Sequence, residues 1–98
     1  MSKREKLRRK LRNNPENATM REVETLLSRF GFTLARISGS HHIYEYDAGD
    51  IWKQVIVPLH GSKVKKIYVK KVVEAIDELF PEEPEDQVEE SGDHEDVE

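Results

Sequence analysis

The residues able to do chemistry gather between Gly39 and Lys66. Gly39, Ser40, His41 and His42 form one run, Val57, Pro58, Leu59 and His60 a second, and Lys63, Lys65 and Lys66 follow. An imidazole takes or gives a proton near neutral pH, so one histidine can serve as general base or general acid. Lysines beside it would hold a phosphate and stabilise the charge that develops on it. These types together suit transesterification at a ribonucleotide phosphate, where one group removes the 2′-hydroxyl proton and another helps the 5′-oxygen leave. Singly, each histidine is a weak signal, because a strand histidine is more often a surface residue than a catalyst. Ser40 can donate to a phosphate, although a serine in this position commonly just supports a turn. Gly39 leaves the backbone open to a close ligand. Metal is the competing chemistry and fits poorly. Adjacent strand histidines point to opposite faces, so His41 and His42 cannot share an ion without distortion. The carboxylates of Asp47 and Asp50 belong to the far end of the hairpin. No cofactor is expected.

Holding such groups in register takes strands, and the chain supplies three. Phe32 to Ser38 is rich in strand formers and stops at Gly39. His41 to Tyr46 alternates, with His41, Ile43 and Glu45 on one face and His42, Tyr44 and Tyr46 on the other. Residues 47–50 make a turn, and Ile51 to Val57 is the third strand, closed by Pro58. Adjacent antiparallel strands joined by a tight turn bring the start of the second strand beside the end of the third. His41 or His42 then approaches His60, with the lysines at the same edge.

Helices flank the strands. Thr19 followed by Glu22 is a capping-box signature, and Met20, Val23, Leu26, Leu27 and Phe30 follow at helical spacing up to Gly31, a left-handed cap. Val69, Val72, Val73, Ile76 and Phe80 form an apolar stripe on a second helix over 67–80, which Pro81 ends. Residues 3–12 carry Leu7 and Leu11 among seven bases, a weakly amphipathic helix too short to hold alone in water. Asn13, Asn14 and Pro15 break it, and the expectation is a solvated, frayed leader. The order helix, strand, strand, strand, helix predicts an α+β fold: a three-stranded antiparallel sheet with both helices on one face. That is also the order of double-stranded RNA-binding domains. The expected organisation is a basic extension over 1–18, a domain over 19–80 and an acidic, disordered tail over 81–98.

Composition narrows the class. In 98 residues, 36% hydrophobic and 37% charged, there is room for one small domain and none for a large cofactor-binding enzyme. Cysteine is absent, which fits a reducing cytosol and excludes thiolate sites and cysteine nucleophiles. No apolar run approaches the ~18 residues of a membrane span. The net charge of -4 hides a strong polarity. Residues 1–71 hold all 16 Lys and Arg against 7 acids, and residues 72–98 hold the other 13 acids and no base. A basic body attracts polyanions, RNA first among them, and an acidic tail opposes that attraction.

The run LLSRFGFTLARISGSHHIYEY, followed by VIVPLHG and a helix, resembles the HicA family of small bacterial toxins. The likeness lies in Gly31 and Phe32 opening the first strand, Gly39, Ser40 and His41 opening the second, and Val57, Pro58, Leu59 and His60 closing the third. It covers roughly residues 19–80. It implies a fold similar to double-stranded RNA-binding domains, metal-independent cleavage of mRNA, and a HicB-like antitoxin that covers the active site. The histidine after Gly-Ser is the family's catalytic residue, which corresponds to His41. Ser40, His42 and His60 are then substrate-contact or secondary catalytic candidates, and Gly39, Lys63, Lys65 and Lys66 are expected on the RNA backbone. The chain departs from the family where Ile67 and Tyr68 replace a Gly-Thr-like helix start, and in its leader and tail. Two further readings stand beside the toxin: a non-catalytic RNA-binding module of the same fold, and a small adaptor that binds a protein through the tail. Tyr44, Tyr46 and Trp52 could stack on bases, and packing is the expectation for at least two of them.

Overall fold

The strands form where the turn residues demand it. In the computed structural model, which describes residues 2–81, β1 (Thr33–Ser38), β2 (His41–Asp47) and β3 (Trp52–Pro58) make one antiparallel sheet in the order β1-β2-β3. A two-residue turn joins β1 to β2, and Gly39 supplies the positive φ, 61°, that such a turn needs at its first position. The β2–β3 turn is closed by the Ala48 amide donating to the Ile51 carbonyl at 3.0 Å. The Asp47 carboxylate accepts from the Gly49 amide at 2.9 Å. Between Leu34 and Arg36 the register of β1 shifts, a bulge of the kind that blunts edge strands.

Helix α2 (Met20–Arg29) has the capping box the sequence predicts. Thr19 Oγ1 accepts from the Glu22 amide at 3.2 Å, and Glu22 Oε1 accepts from the Thr19 amide at 3.1 Å. At its other end Phe32 donates to the Leu27 carbonyl and Gly31 to the Ser28 carbonyl, with Gly31 at φ 92°. This pair of bonds satisfies carbonyls the helix would otherwise leave open, and it needs a left-handed residue between them. Helix α3 (Lys66–Leu79) buries Val69, Val72, Val73, Ala75 and Ile76.

Both helices pack on one face of the sheet. Tyr44, Val55 and Val57 point into a single core with Val23, Leu26, Leu27, Phe30, Val69, Val72 and Ile76. Ile43 is also buried but stands apart from that core, as its alternate position on β2 requires. Trp52 and Ile56, which share its face, are 56% and 46% exposed. The result is the α+β arrangement of a double-stranded RNA-binding domain, with one further helix.

That further helix, α1 (Lys3–Asn13), is packed rather than frayed. The Ser2 hydroxyl caps it by accepting from the Glu5 amide at 3.2 Å. Leu11 enters the core, and Arg8 is 0% exposed. The Arg8 guanidinium donates to both Glu5 carboxylate oxygens, to Asp77 Oδ1 at 3.0 Å and to the Phe80 carbonyl at 2.6 Å. It lies 4.8 Å from the centroid of the Phe30 ring, and Arg4 lies 4.5 Å from the same ring. A buried guanidinium is tolerated when its donors are met in this way. The helix is too short to persist alone, and tertiary contacts supply what its length does not. The expected acidic tail, beyond Pro81, lies outside the described residues.

Candidate functional site

The pleat of β2 separates the two adjacent histidines. His41 opens the strand and is exposed, and it pairs with Ser38 on one side and Pro58 on the other. His42, one residue on, turns to the helix side, between Ile37 of β1 and Val57 of β3. Its Nδ1 is buried and has no hydrogen-bond partner. The two imidazoles therefore serve different environments, and His41 alone of the pair meets solvent freely.

The ends of β2 and β3 lie side by side, as the hairpin geometry predicts. Leu59 donates its amide to the Ser40 carbonyl at 2.8 Å, so the Gly39-Ser40 turn sits against Leu59 and the residues that follow it. His60 is exposed just beyond, and a bridge between His60 and Lys63 folds the chain over Gly61, which has φ 71°. Val64 is buried and anchors this loop. The Met20 amide donates to the Ser62 carbonyl at 2.9 Å, and Thr19 bridges to Lys63, so the loop is tied to the start of α2. Sequence reasoning missed that tie: two backbone segments far apart in the chain leave no signal in residue type or spacing.

Lys63, Lys65 and Lys66 are all exposed at the start of α3. Lys65 occupies the N-cap position with no side-chain cap, and the first turn holds no acid. The helix thus presents its positive end together with two ammonium groups, an arrangement that draws anions. Ser40, His41, Pro58, His60 and the lysine loop share one end of the sheet, and Asp47 and Trp52 share the other. Among the described residues there is no group of three His, Asp or Glu side chains that could hold a metal ion.

Tyr44 and Tyr46 are structural, as packing predicts for two of the three candidate aromatics. The Tyr44 hydroxyl donates to Glu24 at 3.3 Å, and burial, then the Glu24 charge, pushes its phenol above the ordinary value. Tyr46 packs on Phe32 and Phe80 with ring centroids 5.6 Å apart in each case. An open groove of about 230 Å³ runs between β3 and α3, lined by Lys53, Ile56, Lys71, Glu74 and Glu78. None of the candidate site residues lines it.

The family model described as HicA toxin of bacterial toxin-antitoxin matches residues 20–77, which span α2 through most of α3 and leave α1 outside. No curated protein and no solved structure matches the chain. Among the described residues no helix is long and apolar enough to cross a membrane.

Proposed function

The chain belongs to the HicA family of toxins from bacterial toxin–antitoxin pairs, and from that premise we propose that it is a metal-independent endoribonuclease that cleaves mRNA through His41. The imidazole of His41 takes the 2′-hydroxyl proton of the substrate or returns one to the departing oxygen. The 2′-oxygen attacks phosphorus, the bond to the 5′-oxygen breaks, and that oxygen leaves protonated. Lys63, Lys65 and Lys66 hold the flanking phosphates, and the Gly39 backbone lets the strand approach closely. Ser40 and His60 contact substrate or assist the proton transfers, and His42 supports the site from the helix side of the sheet. The partner is a HicB-like antitoxin that covers this edge, and the setting is the cytoplasm, where mRNA is found.

One observation carries the reading: an exposed His41 held by two strand pairings beside an exposed His60 and a loop of unneutralised lysines. The test is cleavage of RNA by the purified chain, with and without chelator, alongside His41→Ala. Cleavage that survives chelator and vanishes in His41→Ala is the expected result. Full cleavage by the alanine variant would overturn the assignment. RNA binding without cleavage by the wild-type chain would favour a non-catalytic module.

A further inference from the structure

The sheet has two edges, and they are not alike. β1 is interrupted by the bulge between Leu34 and Arg36, which turns an edge away from further pairing. β3 pairs with β2 without interruption from Trp52 to Pro58. Two bonds at the ends of that ladder fix its phase: Leu59 donates to Ser40, and Ala48 to Ile51. Alternation between them turns the amides and carbonyls of Lys53, Val55 and Val57 toward β2. Those of Trp52, Gln54 and Ile56 point away from the sheet, and they have no partner among the described residues.

This edge also lacks the usual guards. A lysine on an edge strand ordinarily keeps other strands off it. Here Lys53 leans to the helix side and pairs with Glu78, which leaves the outer row uncharged. That row is Trp52, Gln54 and Ile56, and its two apolar members are the half-exposed side chains of the open face. Helix α3 does not close the edge, since a groove separates it from β3. The charges around that groove balance, Lys53 and Lys71 against Glu74 and Glu78. On the open face the nearest charges are Glu45 and Asp47, one strand inward, opposite Gln54 and Trp52.

We infer that two copies of this chain associate through β3, about a twofold axis at Gln54, into one continuous antiparallel sheet. The strand is self-complementary about that residue. Pairing centred on Gln54 sets Trp52 of each copy against Ile56 of the other, an aromatic side chain on a β-branched one. Each outward amide of the row then faces an outward carbonyl of the partner. The patch is the same on both sides, so the assembly closes at two copies. Glu45 and its counterpart stay three strand spacings apart, about 14 Å, beyond the ~8 Å screening length of physiological salt. His41 remains on the open face of both copies, at opposite ends of the joined sheet. The inference stands apart from the ribonuclease reading, which needs no second copy.

Sedimentation equilibrium of the full-length chain tests it, with circular dichroism to verify that each variant folds. A small interface of this kind should give a dimer with a Kd of about 10–100 µM. Gln54→Pro removes an amide that β2 does not use, and it should weaken association about tenfold or more. Trp52→Lys and Ile56→Glu, both at exposed positions, should each do the same. Combined in one chain, they set opposite charges across the proposed interface. The double variant should dimerise about fivefold more tightly than either single one. Within one copy the two positions lie about 13 Å apart along the strand, so such a rescue can only come from between copies. A chain still monomeric at about 300 µM would overturn the inference and leave the edge to a strand of another protein. A dimer indifferent to Gln54→Pro, or a double variant no tighter than the singles, would overturn it as well.

Discussion

Leu59 donates its amide to the carbonyl of Ser40, and the bond carries the β2–β3 ladder past a residue that has no amide hydrogen to give. Pro58 lies opposite His41 at a position where the ladder asks for none, because the bonds fall on either side of that pair. Such pairs bring side chains closer than hydrogen-bonded ones do. A rigid ring therefore stands directly across from His41, and the turn that presents the histidine is fastened from both neighbouring strands.

If His41 carries the proton transfer, His60→Ala and His42→Ala should each slow RNA cleavage less than His41→Ala while leaving the fold intact. Single-turnover cleavage together with a circular dichroism spectrum separates the three. A folded His60→Ala chain as inactive as His41→Ala would establish a two-histidine acid–base mechanism instead.

Gly31 and Gly39 both adopt positive φ, and they should respond differently to a methyl group. A Cβ at Gly31 would come within 3.1 Å of the Tyr46 ring, whereas at Gly39 it would meet nothing within 4 Å. Gly39→Ala should cost about 1 kcal/mol of backbone strain, and Gly31→Ala about 2–3 kcal/mol from strain and crowding together. Urea unfolding midpoints measure both. Equal losses would show that the ring gives way without cost.

Removing Arg8 strands the groups it satisfies. Arg8→Ala should destabilise the protein by about 3 kcal/mol, within the range for breaking a buried, hydrogen-bonded charge. Arg12→Ala, whose partly exposed side chain shares Asp77, should cost less than about 1 kcal/mol. The comparison is again of unfolding midpoints, and a larger loss for Arg12 would contradict the anchoring role given to Arg8.

The Glu22 carboxyl is held below its ordinary value, first by the hydrogen bond from Lys10 and then by the Thr19 amide. A carboxyl depressed on folding adds stability at pH values above the usual carboxylate range, and that share is lost as pH falls below it. Glu22→Gln keeps an acceptor for the Thr19 amide but cannot ionise. It should be within about 1 kcal/mol of wild type at pH 7. Between pH 7 and pH 3 it should lose less stability than wild type does, and an equal or greater loss would refute the linkage. Thr19→Ala, which removes the cap itself, should cost about 1 kcal/mol at either pH.

Much of this architecture can be read from the chain because its punctuation is local. Gly31, Gly39 and Pro81 mark ends that depend only on neighbouring residues, and β2 runs Asp47 rather than Tyr46 while α3 ends at Leu79 rather than Phe80. The opposite facing of His41 and His42 follows from the pleat alone. Arg8 is different. Read along the chain it is one of seven bases in a short leader, and nothing nearby marks it as buried. Its acceptors on Asp77 and Phe80 lie 69 and 72 positions away. The tie between Ser62 and Met20 is hidden for the same reason, since backbone groups are the same in every sequence.

The Arg8 contacts have a consequence for how the protein is made. Helix α1 finds its acceptors 69 and 72 positions further along the chain, so this contact cannot form until Phe80 has been synthesised. Loop closure over so long a separation is slow compared with the local pairing of the strands. The hairpins can assemble while the chain is still growing, but Arg8 cannot join α1 to α3 before Asp77 and Phe80 arrive. In a family of toxins this order matters, because a fragment stopped short of Asp77 would present the histidine turn on a body that has not been braced.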